Sequence, residues 1–523
     1  MKQANILKNG LWLLNNLKFS LMAATLCCCH FFSYAQNRNS VWCFGDSALI
    51  DFSDTSNIIV GSCGLDTRGS CASIANENGK LLFYAETRAT ISGNTTLVFD
   101  TTHQVMQNGN NIVGRGWYQE LVIVPNPAND STYYLFSIGV TSIYGLYYSI
   151  IDMRLNNGLG AVTVKNVQLQ SFEQVDCLNA VKHGNGRDWW VLFRKAGSLS
   201  NGNNDWYSYL ITPVSVQNFS IQSIGSLNKT NSGYTNFSPS GEKLVFTNLI
   251  GLVELYDFDR CSGLLSNPVT IEPEALPSVP YTWSCEFSPD ASKLYVTTAD
   301  DTTYLFQYDL NASNISQSKN TLWTTNYPLY TGGGLKLAPD NKIYLASIYY
   351  NGVQFPYPYQ DTVYNMYNMN LSVINQPDSL GIACDFQPYS FYLGGKRTYL
   401  GLPNNPDYTL PAISGSPCDT LTGIAPLATS AKGAELFVTY MASWQKLFVN
   451  AQHLKGKNIT LTLYDVTGKL IYNTARVLSP SGVGGSAGGY FTQDINCSAL
   501  AKGMYIVSLQ TEKERLVNKF VVE

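Results

Sequence analysis

The stretch "FSPSGEKLVF" begins at Phe237, "FSPDASKLYV" begins at Phe287, and a looser copy, "LAPDNKIYL", begins at Leu337, each fifty residues after the last. A fixed period of this size constrains the fold more than any other feature of the chain. It marks a repeat architecture, in which one supersecondary unit is copied and each copy buries its apolar face against its neighbours. Taking the strand after each turn as the register gives "GKLLFYA" at Gly79, "STYYLFS" at Ser131, "RDWWVLF" at Arg187, "EKLVFTN" at Glu242, "SKLYVTT" at Ser292, "NKIYLAS" at Asn341 and "KRTYLGL" at Lys396. Each is a run of β-branched and aromatic residues behind a polar turn, the pattern of a hairpin.

A second strand pattern follows each hairpin, as "TLVFD", "YSIID", "SYLIT", "ELYDFD", "LFQYD" and "LSVIN", one copy fewer than the hairpins. The missing copy stands at the other end of the region as "SALIDF", from Ser47. Such an offset is expected of a ring in which an N-terminal strand completes the last sheet and leaves no open edge. The reading is therefore all-β: a seven-bladed β-propeller over residues 40–405, with six or eight blades fitting the same period. An array of β-sandwiches would supply the strand density and leave the offset strand unexplained. Pro239, Pro289 and Pro339 fix φ early in the repeated turn, and Asp290 and Asp340 read as turn residues that bond local backbone.

Composition bounds the rest. The chain has 523 residues, 13% of them aromatic and 13% charged, with a formal net charge of −4. That balance gives no basic surface for nucleic acid. Lys2 and Lys8 precede an apolar run ending in "SYAQ", a signal peptide over 1–35 with cleavage after Ala35. No other apolar run approaches the length of a membrane-crossing helix, so the mature chain has no spanning segment. Residues 406–433 carry Pro, Gly, Ser and Thr without periodicity and read as a linker. Strand patterns resume over 434–523, where "DVTG" is a hairpin turn in a small β-sandwich.

Twelve cysteines less three in the signal peptide leave nine, an odd number in an exported chain. Cys71, Cys177, Cys285 and Cys384 each open an apolar segment and read as buried small hydrophobes. Cys63 with Cys71, or Cys261 with Cys285, are the candidate bridges.

The C-terminal unit resembles the type A sorting domain of the type IX secretion system of Bacteroidota, through "LTLYDVTGKLIY" at Leu461–Tyr472, "GMYIVSLQ" at Gly503–Gln510 and the terminal "KFVVE". The resemblance places Gly468, Lys469, Gly503, Tyr505 and Lys519 in the sorting signal. It implies the type IX machinery as partner and an extracellular or outer-membrane-surface address. The usual Pro-Asn-Pro before the first strand is absent, and "SPSGVGGSAGG" lengthens one loop. The ring resembles WD-repeat-like propellers exported by the same bacteria, through "WCFGDSALIDF", "CASIANENGKLLFYAE", "LNAVKHGNGRDWWVLF" and "FSPDASKLYV". That resemblance implies architecture and address, and no chemistry, since propellers host many unrelated activities.

No nucleophile-elbow, zincin, P-loop or dinucleotide motif is present. Catalytic candidates are few. Glu120 and Glu286 lie in apolar segments that read as innermost strands, where a pair of carboxylates facing the channel is the requirement for glycoside cleavage. The bland alternative is a carboxylate bonded to a neighbouring blade's backbone. His183 precedes a blade hairpin, where an interblade hydrogen bond competes with a general-base role, and His103 reads as solvated. No metal site and no cofactor are expected, with a single structural calcium left open. Aromatic residues near blade ends are the ligand-binding candidates: Trp117, Tyr118, Tyr281, Trp283, Tyr349 and Tyr350, whose rings either stack on a sugar or peptide or fill space between blades. The expected function is a non-enzymatic binding module for a glycan or protein. The alternatives are a polysaccharide hydrolase or lyase and a structural part of the envelope or gliding surface.

Overall fold

Seven antiparallel sheets follow one another over residues 41–392 in the computed structural model, which describes residues 37–522 apart from 89–92, 118, 141–142, 276–279, 351–362, 417, 420–433, 442–443, 456–457, 466–468, 478–488 and 514. The signal-peptide reading, Tyr118 and Gly468 lie outside the described residues. Blades 1 to 7 occupy 41–66, 71–99, 121–170, 179–228, 233–272, 282–325 and 332–392. Blades 1 and 2 have three strands and the others four.

In each blade the first strand is innermost, and from blade 1 round to blade 7 each packs beside the first strand of the next. Short unbroken apolar runs make these strands, as in "VWCF", "CASIA" and "LVIVP", and burial on every side explains why they lack alternation. Outer strands such as Val216–Asn228 alternate between half-buried and exposed residues instead.

The ring closes differently from the sequence expectation. Asp46–Asp51 is the middle strand of blade 1, paired with Val41–Phe44 on one side and Ile59–Asp66 on the other. It does not complete blade 7, whose four strands come from one continuous stretch. "KRTYLGL" is no blade hairpin either. Blades 1 and 7 meet instead through packing, with Trp42 and Phe52 set edge-on to Tyr344 at 6.0 and 5.6 Å between ring centres. Asp46 N–H donates to the Arg397 carbonyl at 2.9 Å, and Arg397 Nε pairs with Asp46 Oδ2 at 2.9 Å.

After blade 7 the chain turns into the ring and runs along its channel. Leu400 N–H donates to Arg68 O, and Asn404 N–H donates to Cys71 O. Gly401 passes against the Gly69 backbone so closely that a Cβ there would strike the Gly69 carbonyl. The Asn404 amide donates to Leu121 O at 2.8 Å and to Leu178 O at 2.7 Å. Asn405 donates to Asn39 and accepts from Ser73 N–H, and the Tyr408 hydroxyl donates to Ile123 O at 3.0 Å. Beyond the lumen, Arg260 donates to Pro411 O and Ile413 N–H donates to Gly184 O. A disulfide joins Cys261 to Cys418. Residues 406–416 and Cys418, the start of the expected linker, are thus built into the propeller, held by the Tyr408 hydroxyl, by bonds to the Pro411 and Ile413 backbone and by the disulfide. The bridge replaces both expected pairings: Cys63, Cys71 and Cys285 are free and buried, as are Cys43, Cys177, Cys384 and Cys497. Burial pushes the Cys177 thiol up to about 12, the behaviour of an inert core cysteine.

The chain divides after Thr422. The C-terminal unit pairs a three-stranded sheet (Glu435–Met441, Lys446–Leu454, Gly489–Asn496) with a four-stranded one in the order Leu470–Val477, Asn458–Asp465, Gly503–Gln510, Arg515–Val522. Leu447, Val449, Leu461, Val507 and Leu509 form its own buried core, which makes it a small β-sandwich.

Candidate functional site

The repeated turns stand around one mouth of the channel. In each, the first turn amide bonds back across the hairpin: Ser238 N–H to Lys243 O, Ser288 N–H to Lys293 O and Ala338 N–H to Lys342 O. Gly241, Ala291 and Asn341 take the left-handed conformation at the matching place. Asp290 Oδ1 accepts from Ser288 Oγ and Ser292 N–H, and Asp340 accepts from Lys342 N–H and the Tyr344 hydroxyl, so both serve the turns.

Two residues before each turn, the innermost strands carry Asn236, Glu286 and Lys336, fifty residues apart in blades 5, 6 and 7. The same place holds Ile74, Val124 and Val181 in blades 2 to 4, set by the turn bonds of Asn76, Asn126 and His183. The apolar half of the ring encloses Tyr408, which shares a core with Ile74 and Val124. The polar half opens on a cavity of about 620 Å³. Its walls include Asn37, Asn39 and the Phe52–Thr55 loop of blade 1, Asn179–Val181 of blade 4 and the turns of blades 5 to 7, and its floor is Asn405, Pro406 and Asp407.

The three polar residues are held rigidly. Glu286 accepts from Phe287 N–H at 2.9 Å, from Leu337 N–H of the next blade at 2.9 Å and from Asn236 Nδ2 at 3.1 Å. Burial raises its pKa, with the Lys336 charge opposing. Lys336 Nζ donates to the Asn405 carbonyl at 2.8 Å, and burial lowers its pKa against the pull of Glu286 and Asp407. Asp407, exposed on the floor, accepts from Thr409 N–H at 2.7 Å and from its hydroxyl at 2.6 Å. Of the catalytic candidates, Glu286 alone lines this cavity. Glu120 accepts from Arg115 and Gly116 N–H ahead of its blade, so the two carboxylates are not brought together as a facing pair. His183 Nδ1 accepts from Asn185 N–H, and the buried ring lies 5.3 Å from Trp190. Burial lowers its pKa. His103, expected in solvent, is half-buried with Nδ1 2.9 Å from the Tyr84 hydroxyl. Among the described residues no cluster of three or more His, Cys, Asp or Glu is placed to hold a metal.

The aromatic candidates sit at the opposite end of the innermost strands. Trp117 packs, half-buried, on the core of blades 2 to 4. Trp283 and Tyr350, with Tyr330, pack on Ile348, Tyr399 and Leu400 at the start of the channel segment. Tyr349 stacks on Tyr367 at 5.9 Å, its hydroxyl 2.9 Å from that of Tyr327. Tyr281 is 39% exposed. Trp117, Trp283, Tyr349 and Tyr350 thus each touch core residues or other rings. Asn236, Lys336 and Asp407 were not singled out from sequence, although the fifty-residue register places the first two beside Glu286.

In the C-terminal unit Tyr505 stacks on Phe520 at 5.5 Å and donates to Ala501 O at 2.8 Å. Lys469 N–H caps Asp465 at the hairpin turn. Gly503 opens the central strand, and Lys519 is exposed on the last one.

Residues 445–523 match the secretion system C-terminal sorting domain. No curated protein sequence matches the chain. Among solved structures, one similar chain is a Bacteroides fragilis protein provisionally described as a 6-phosphogluconolactonase: 10% identity, TM-score 0.41, over 70% of this chain and 98% of that one. A second is the β-propeller domain of Cps50 (Swd1) from Myceliophthora thermophila: 9% identity, TM-score 0.31, over 60% and 94%. A third is Sqt1 of Chaetomium thermophilum, bound to the N-terminus of ribosomal protein L10: 10% identity, TM-score 0.31, over 64% and 87%. With seven blades in its sheet topology and this tail behind them, the chain is a β-propeller protein exported by type IX secretion to the cell surface or beyond, its C-terminal unit being a secretion system C-terminal sorting domain.

Proposed function

We propose that the exported propeller is a non-enzymatic binding module for a glycan or protein, and that its ligand seats in the cavity at the turn-bearing mouth. The observation that carries this reading is the cavity itself. It is about 620 Å³, walled by rigid turns from several blades and lined by polar groups converging from seven separate stretches of sequence. Concave sites of this size with a few fixed polar groups are the usual form of a ligand pocket.

Glu286, a buried carboxylate with a raised pKa in the same cavity, favours a second reading as a polysaccharide hydrolase or lyase. Its oxygens already accept three hydrogen bonds from protein donors, an arrangement suited to bracing blades 5, 6 and 7. One experiment separates the two. The full chain is incubated with a panel of polysaccharides and secreted proteins, and retention and product masses are read in the same samples. Retention with unchanged masses supports the binding module. Shorter products that vanish in Glu286→Gln make it an enzyme.

A further inference from the structure

Resting on the binding reading, we infer that the ligand of this cavity is the end of a neutral oligosaccharide, and that Asp407, Asn236 and Lys336 are its polar contacts. Three features of the lining point to that class.

The first is the kind of polar group. Asn37, Asn236, Asn341, Asp407, Thr55 and Thr409 present amides, a carboxylate and hydroxyls. Together they offer acceptors and donors to vicinal hydroxyls: the Asp407 carboxylate and the Asn236 oxygen accept, and the remaining amides and hydroxyls supply donors as well. Between them lie Phe237 and the partly exposed rings of Pro239, Pro289 and Pro339, apolar faces for the C–H side of a sugar ring.

The second is charge. Among the described residues the ionisable lining groups are Asp54, Glu286, Asp407 and Lys336. Three carboxylates against one ammonium repel phosphate, sulfate and uronate. Among the described residues no arginine stands in the lining to take such groups by its fork.

The third is what the lumen withholds. An extended peptide binds a sheet by adding to free backbone groups. Here side chains already take the lumenal carbonyls. Thr235 O is held by Gln119 and Asn179, Cys285 O by Asn236, Lys182 O by Arg260, and Leu121 O and Leu178 O by Asn404. A peptide strand finds few acceptors, whereas a polyol needs only the side chains.

The test is calorimetric titration of the full chain with neutral gluco-, xylo- and manno-oligosaccharides of several units. Parallel arms use oligogalacturonate and a set of extended peptides. Asp407→Ala is the site variant, chosen because its carboxylate is exposed and bonded only to Thr409 among the described residues. Tyr327→Ala, an exposed ring near the other mouth, is the control. The expected result is binding of a neutral oligosaccharide that Asp407→Ala weakens about tenfold or more, the worth of one hydrogen bond to a charged group, while Tyr327→Ala leaves it unchanged. Binding confined to oligogalacturonate or peptides, and still dependent on Asp407, overturns the neutral-sugar class and leaves the cavity reading standing. Neutral-sugar binding that falls with Tyr327→Ala and ignores Asp407→Ala overturns the site. Absence of neutral-sugar binding overturns the class outright.

Discussion

Asn404 fastens the channel segment to the innermost strands of two blades, and truncating it tests how the ring is held shut. Its amide nitrogen donates to two carbonyls, Leu121 O at 2.8 Å and Leu178 O at 2.7 Å, and its oxygen accepts from Gln119 Nε2 at 3.2 Å. The residue is 3% exposed, so water does not replace these bonds at low cost. Gln119 keeps a second acceptor in Thr235 O and loses little. The two carbonyls lose their side-chain donor. At about 1–3 kcal/mol for each buried group left unsatisfied, Asn404→Ala should cost about 2–6 kcal/mol. Asn404→Asp should cost at least as much, because an acceptor then faces both carbonyls.

The assay is urea unfolding of the full chain followed by tryptophan fluorescence, since Trp42, Trp189, Trp190 and Trp206 all lie in the propeller core. A lower midpoint with unchanged slope reads as lost stability. A loss below about 1 kcal/mol for Asn404→Ala would refute the reasoning, for a surface strap loses no more than that. The interface between blades 1 and 7 would then be closing the ring alone.

Other outcomes follow from the same structure. Cys418→Ser should lower stability by about 2–4 kcal/mol by opening a cross-link 157 residues apart in sequence, and a non-reducing peptide map of the parent should show Cys261 joined to Cys418. Burial raises the pKa of Glu86 from its ordinary 4.5 to about 7, outweighing Arg88 at 2.6 Å. The folded state therefore binds the proton more tightly, and the contribution of Glu86 to stability is full below about pH 4.5 and is lost as pH rises through about 7. Glu86→Gln should flatten that slope in unfolding curves taken from pH 4 to 8, and a slope of opposite sign would contradict the burial argument. Deleting 515–523 removes the edge strand Arg515–Val522 and the core residues Phe520 and Val522. The chain should then accumulate inside the cell envelope, as read by fractionation, and undiminished export would detach secretion from this sheet.

What the sequence disclosed was local. The turn prolines, the fifty-residue register and the inward strand of each blade rest on φ preferences and short apolar runs that a few neighbouring residues determine. The partner of a strand is not local. "SALIDF" announces a strand over Asp46–Asp51, yet nothing in its pattern says whether it pairs within blade 1 or with blade 7. The channel segment was harder still. "LGLPNNPDYTLP" has the prolines and asparagines of a loop, and the groups it satisfies lie far off in sequence: Asn404 to Leu121 spans 283 positions and Tyr408 to Ile123 spans 285. The odd cysteine count leaves at least one thiol unpaired, and Cys418 lies in a stretch of linker composition whose pattern points to no partner. At the site, Glu286 was found by its apolar surroundings. Glu120 was found the same way and sits elsewhere, because hydrophobic context locates an inner strand without saying which end of it a side chain occupies.

The segment that fastens the ring is also the floor of the cavity, and this joins stability to binding. Asn404 lies behind the floor and is not among the lining residues, whereas Asn405, Pro406 and Asp407 directly after it are. Lys336 reaches the cavity through its bond to the Asn405 carbonyl, so the wall of blade 7 is registered on the same segment. A ligand resting on Asp407 must stabilise the closed ring in proportion to its affinity, since it binds the folded form alone. The two variants should then separate cleanly. Asp407→Ala removes an exposed contact and should weaken binding while leaving the unfolding midpoint within about 0.5 kcal/mol of the parent. Asn404→Ala touches no ligand and should lower both, because loosening the floor costs the ligand its preorganised surface. If Asn404→Ala lost stability and kept full affinity, the floor would be positioned by Asn405 and Lys336 alone, and the coupling between plug and pocket would fall.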